Sequence, residues 1–224
     1  MAIPTGLLTR GTIIDHALRR AGNTKPSVRT DGIVAFNQIL FDLYTQYEWP
    51  FLNTSTTLSL VGNFALPSDF LQAQDDRALM LVLVGVQVQR APIFEVDRET
   101  FDRQLPSTGT PRVWHADRKN SIGLLWPTPD AAAYTATLRY KYLPPATTTD
   151  NDIPVFPWHL YLIQAMYVWA LEYDSDPRSM QESMRADTLL MRLRQTSSPL
   201  RSQSPVVPLD PQVFGPVFDG DWGL

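Results

Sequence analysis

Apolar residues recur at helical spacing near the start of the chain and at strand spacing through its middle. Ile13, Ile14, Ala17, Leu18 and Ala21 predict a first helix from about Thr12, and Gly22-Asn23 supplies a left-handed stop. Beyond a loop with Pro26, the residues Ile33, Phe36, Leu40, Leu43, Tyr44 and Tyr47 repeat every three or four positions, the mark of one buried helical face. Ser27 is the expected N-cap of this second helix, and the two helices form an antiparallel hairpin. Pro50 ends it, because proline disfavours the α region for Trp49 and has no amide hydrogen to donate. Asn53 to Leu60 then alternate, so the chain passes from helix to sheet at Trp49-Pro50.

Val61-Gly62-Asn63-Phe64 predicts a tight turn between two strands, which exit through Pro67-Ser68-Asp69-Phe70. Ala78 to Gln89 predicts a strand that leaves a core, and Asp97 to Gln104 a short surface helix. A hairpin follows over Gly109 to Trp126, turning at Asp117-Arg118-Lys119-Asn120. Tyr134, Ala136, Leu138, Tyr140 and Tyr142 alternate with Thr135, Thr137, Arg139 and Lys141 in the cleanest strand of the sequence. About five or six strands are expected, antiparallel because their connections are short. Pro144-Pro145 and a polar stretch ending at Asp152 return the chain to helix. A third helix starts near Phe156 or Pro157 and is apolar nearly all round; a fourth follows Asp176-Pro177 and runs to about Gln195. The pattern predicts an α+β fold: a four-helix bundle (1–52 and 153–196), an inserted antiparallel β subdomain (53–152) and an extended C-terminal arm (197–224).

The composition changes this picture little. Hydrophobic residues make up 44% of the 224, aromatics 11%, and the net charge is -4, so the chain is globular and not built as a whole to hold a polyanion. There is no cysteine, which removes disulfides, thiolate nucleophiles and cysteine-based zinc sites. The first eight residues lack the basic start and apolar run of a signal peptide, and the interrupted stretch Ile153 to Leu171 reads as a buried helix rather than a membrane span. Synthesis in a cytoplasm and no membrane partner are expected.

Candidate chemistry is sparse. His16, His115 and His159 have no partner histidine at helical spacing, and no nucleophile elbow, phosphate loop or dinucleotide fingerprint occurs. Asp69, Asp75 and Asp76 beside Arg77 read as a solvated surface or an oxygen-type cation site. Arg178, Arg185 and Arg192, seven apart, share one face of the last helix; they fit either a solvated face or one turned to nucleic acid or an acidic partner. Met180, Met184 and Met191 suit a core or an adaptable interface. Tyr134, Tyr140 and Tyr142 suit a core better than a base-stacking platform. No cofactor is expected. The arm carries Pro199, Pro205, Pro208, Pro211 and Pro216 among the apolar anchors Val213, Phe214, Val217, Phe218 and Trp222. Such a segment is expected to be ordered by docking on a neighbour or partner, or else along its own subunit.

The order of these features, Glu48-Trp49-Pro50-Phe51-Leu52, Leu66-Pro67-Ser68-Asp69-Phe70, Gly109-Thr110-Pro111 and Leu125-Trp126-Pro127-Thr128-Pro129-Asp130, then a tyrosine-rich strand and two closing helices, resembles the head-to-tail adaptor proteins of tailed bacteriophages. The resemblance spans residues 9 to 196 and rests on structural motifs with no reactive group. It implies a structural virion protein at the head–tail junction, not an enzyme. The subunits would form a ring, commonly of twelve, between the portal protein and a downstream tail protein (nozzle, hub or tail terminator), with DNA as passing cargo. On that footing Phe214, Phe218 and Trp222, with Val213 and Val217, are the expected partner contacts; Arg185 and Arg192 would face the channel or portal. Trp49, Pro50, Phe51, Pro67, Asp69 and Phe70 form the structural joint. The alternatives are a cell-wall hydrolase working through carboxylates and a receptor-binding tail module, although the β-repeats expected of the latter are absent from the sequence.

Overall fold

The computed structural model describes residues 7–83, 89–130 and 134–197. Helix α1 (Arg10–Ala21) is capped by the Thr9 side chain and ends at Gly22, whose φ of 82° is the left-handed stop that the sequence requires. Helix α2 (Pro26–Gln46) begins with proline in its first turn and has Lys25, not Ser27, at the N-cap. The proline ring sets the helical φ from position 26, so the helix starts before Ser27 can cap it. The predicted face of α2 is the buried one: Phe36, Leu40, Leu43 and Tyr44 are all inside. A 3-10 turn (Pro50–Leu52) then leads into strand β1 (Asn53–Leu60).

Seven more strands follow: β2 (Phe64–Ala65), β3 (Phe70–Ala73), β4 (Leu79–Leu83), β5 (Gln89–Glu95), β6 (Val113–Asp117), β7 (Ile122–Trp126) and β8 (Tyr134–Tyr142). A short helix α3 (Arg98–Asp102) lies between β5 and β6; α4 (His159–Tyr173) and α5 (Ser179–Ser197) close the described chain. The sheet runs β1-β8-β4-β5-β6-β7-β2, with β3 also on β8. Its end strands β1 and β2 are joined only by residues 61–63, and the sheet curls into a nearly closed barrel.

This overturns the expected four-helix bundle carrying an inserted antiparallel β subdomain: among the described residues there are five α-helices and an eight-stranded mixed sheet. Gly62-Asn63 does not turn a hairpin. The edge of β1 is taken along its whole length by β8, and the two-residue β2 pairs instead with β7, Phe64 against Gly123. The apolar run from Ala78 is not one strand, because β4 folds back on β5 with Leu83 opposite Gln89. β5 and β6 are parallel, because residues 96–112 include α3 and are long enough to return the chain to the same end. The third helix begins at His159 rather than near Phe156.

Two apolar cores result. One joins α1, α2, α4 and α5 around Ile13, Phe36, Leu162 and Met166; the other fills the barrel with Leu60, Leu79, Leu81, Ile93, Trp114 and Leu138. Tyr142, at the end of β8, packs against both. The tyrosine face of β8 is core, with Ala136 and Leu138 fully buried and Tyr140 nearly so. Within the barrel the buried Phe64 ring lies flat over Gly123 and meets Trp114 at 5.9 Å between centroids. A Cβ at Gly123 would sit 2.1 Å from that ring. Gly123→Ala is therefore expected to destabilise by about 1–3 kcal/mol through overpacking, seen as a lower urea midpoint with an unchanged slope.

Candidate interaction site

The joint is built from the end of α2. Leu43 and Tyr47 lie where helical carbonyls lack intrahelical partners, and side chains supply the missing donors. The Trp49 indole N–H donates to the Leu43 carbonyl at 2.8 Å, and the Lys141 ammonium from β8 donates to the Tyr47 carbonyl at 2.5 Å. A cation at a helix C-terminus also meets the negative end of the dipole. Lys141 is 3% exposed, and burial holds its pKa below the usual lysine value, against a smaller upward pull from Glu48.

Trp49 is 1% exposed and lies in a cluster of rings, 5.3 Å from both Phe156 and Trp158 and 5.8 Å from Phe51. Pro50 is exposed at the start of the 3-10 turn. The second half of the joint docks on the same end of β8. Phe70 N–H donates to the Pro67 carbonyl at 3.0 Å, and Leu143 N–H to the Asp69 carbonyl at 2.8 Å. The Tyr140 hydroxyl donates to the Asp69 carboxylate at 2.9 Å, with its ring 5.6 Å from Phe70. Burial, with the Asp69 carboxylate adding to it, pushes the Tyr140 hydroxyl up to about 12. Of the residues of the joint, Asp69 and Phe70 thus meet the end of β8, while Trp49 and Phe51 sit among the rings of Phe156 and Trp158.

A polar anchor holds the returning chain. Arg10, 4% exposed, donates to the Thr147 carbonyl at 2.9 Å and to Asp150 at 2.8 Å, while Arg29 bridges Asp150 and Asp15 at 2.7 Å each. Both guanidinium groups hold the Asp150 carboxyl below its usual range. Asn37 exchanges hydrogen bonds with Thr147, and Gly11 brings the α1 backbone against Asp150, where a Cβ would meet Asp150 Cβ at 3.0 Å. None of these residues is singled out by the sequence pattern. Apart from Arg29 and Asp15, fourteen positions apart, the partners lie more than a hundred positions apart, and only the arginine that opens the first helix and the aspartate between prolines and helix could have hinted at them.

Helix α5 presents the other candidate surface. Met180, Met184 and Met191 are 70%, 59% and 63% exposed, so they belong to a surface and not to the core. Beside them a groove of about 460 Å³ is lined by Gln181, Met184, Arg185, Thr188, Leu189 and Arg192. Arg178 pairs with Asp176 and Arg185 with the buried Glu182; Arg192 makes no salt bridge to a described residue. The anchors Val213, Phe214, Val217, Phe218 and Trp222 lie outside the described residues. Among the described residues no helix is long and apolar enough to cross a membrane.

The family model for the SU10 adaptor protein matches residues 8–208. The chain belongs to that family and is a phage head-to-tail adaptor, a structural component of the virion that interacts with other phage head and tail proteins. No curated protein matches it.

Two outcomes test the joint and its surroundings. Trp49→Ala is expected to cost about 3–5 kcal/mol, and Trp49→Phe less, since it keeps an aromatic ring in the cluster while losing the donor to Leu43 and part of the buried volume; chemical denaturation of both variants checks the order. The second concerns His159, whose Nδ1 accepts the Leu8 N–H at 2.6 Å and whose pKa is lowered chiefly by burial. The imidazole is neutral when folded, so on acidification the unfolded chain takes up the proton first. Stability should fall as the pH drops below the unfolded histidine value of about 6.5, and His159→Asn should flatten that slope in denaturation curves measured across the range.

Proposed function

We propose that this adaptor is one subunit of a homo-oligomeric ring, of twelve copies, seated between the portal and a downstream tail protein (nozzle, hub or tail terminator). Its central channel passes DNA as cargo. Family membership over residues 8–208 carries the reading. The net charge of -4 supports it, since walls of like sign do not retain a sliding polyanion. The helical residues (1–52 and 153–196), the barrel residues (53–152) and the arm (197–224) act as three parts of the subunit. Val213, Phe214, Val217, Phe218 and Trp222 in the arm contact the portal, with Arg185 and Arg192 on α5 turned to the portal or the channel. The joint around Trp49 fixes how the first two parts are held.

In a ring, each subunit gains stability from its neighbours by mass action, so a subunit need not cover every apolar side chain alone. The subunit is synthesised in the host cytoplasm and joins the virion at the head–tail junction. Electron microscopy of the protein mixed with portal is expected to image a ring stacked on the portal; absence of any ring would remove the reading. Deleting residues 198–224 should leave a subunit with an unchanged melting transition that no longer co-sediments with portal. Portal binding by the truncated protein at undiminished affinity would remove the arm from the contact.

A further inference from the structure

The methionine face of α5 and the arm that follows it have complementary chemistry. On α5 the exposed Met184 shares one groove with the guanidinium groups of Arg185 and Arg192, and Met180 and Met191 are exposed on the same helix. From Pro205 to Leu224 the chain has Asp210, Asp219 and Asp221, no lysine or arginine, and Phe214, Phe218 and Trp222 among its prolines. Aromatic rings on thioethers and carboxylates on guanidinium groups are favourable contacts, and a proline-rich segment loses little entropy when it docks in a groove. By contrast, the groove between α2, α4 and α5 is rimmed by Asp42, Glu172 and Asp187 and would repel this segment.

Reach brings a second copy's α5 within range of the arm. Pro199, Pro205, Pro208 and Pro211 bias the chain toward extension, and at about 3.1 Å per residue the stretch from Ser197 to Phe214 covers roughly 50 Å. Helix α5 itself rises only about 28 Å over its nineteen residues. The arm is therefore long enough to pass the whole of the α5 from which it emerges and meet a second copy.

We propose that, in the absence of portal, residues 205–224 of one copy dock on the Met184–Arg192 face of α5 of a second copy. This rests on the reading of the arm as the portal-contact segment: two surfaces that portal later takes cover each other until it arrives. Passed from copy to copy the exchange is head-to-tail and links successive chains, whereas a reciprocal exchange would close a pair.

The absence of native cysteine makes the test direct. In the full-length chain Thr188→Cys on the α5 face is combined with Gly220→Cys in the arm and the protein is oxidised without portal. The expected product on a non-reducing gel is a ladder of linked chains. A control pair, Val34→Cys on the exposed side of α2 with Gly220→Cys, should remain monomeric. Adding Met184→Asp, Met191→Asp and Arg192→Glu, all on exposed positions, should bring the ladder down to the control level while leaving the melting transition in place. A product linked only within one chain, a yield no higher than the control, or a ladder that survives the three changes would each overturn the proposal. Portal stacking of the cysteine-free protein is measured separately, so failure of the exchange leaves the ring reading standing, and failure of stacking leaves the exchange to be judged on its own gel.

Discussion

Burying Trp49 obliges the chain's departure into the barrel and its return from it to occupy the same place. The indole is held by the Leu43 carbonyl on the outgoing side and by the rings of Phe156 and Trp158 on the returning side. A side chain of this size removes about 150–250 Å² from water, which at about 25 cal/mol per Å² is worth roughly 4–6 kcal/mol at most. That contribution is available only when both crossings coincide, so the position of the barrel relative to the helices follows from one packing site. The neighbouring polar contacts sharpen the position rather than create it: Lys141 from β8 closes the Tyr47 carbonyl, and Tyr44 accepts the Phe156 N–H at 3.1 Å.

Strand β8 converts this local constraint into a global one. Along one edge it pairs with β1, and along the other with β4 and then β3. Its last residues are shared between the cores, through Tyr140 facing the barrel, Lys141 turned toward α2 and Tyr142 touching both. The stretch that follows is then tied to α1 and α2 by Arg10, Arg29 and Asn37 acting on Thr147 and Asp150. Each buried or half-buried charge there has an opposite partner or a backbone acceptor, as the cost of desolvating an ion demands. The barrel is thus fastened at its first and its last strand.

An adaptor works through faces, and the chemistry of this one is distributed accordingly. The pinned residues are inside, where they set shape, whereas the large apolar groups on α5 are left in solvent beside arginines. Methionine tolerates more than one packing partner, which makes this face an adaptable one. The arginines on that face are partly committed already, Arg185 to Glu182 and Arg178 to Asp176, so they are oriented rather than loose.

The sequence alone determined the helices α1, α2, α4 and α5 to within a few residues, the alternation of β1 and β8, the hairpin of β6 and β7, and the stop at Trp49-Pro50, because periodicity, proline and glycine act over a few residues. The adaptor family was also legible there, in the order of turn and core motifs. Only the tertiary structure decided that β1 pairs with β8 some eighty residues away, that β5 lies parallel to β6, and that eight strands curl into a barrel instead of forming an antiparallel subdomain of five or six strands. The same holds for Lys141, Arg10 and Asp150, whose partners come from distant segments, and for Met180, Met184 and Met191, whose helical spacing fits a core and an interface equally well. Strand pairing and ion pairing are long-range choices made by which edges and charges remain unsatisfied once the local elements meet, and no local pattern records them.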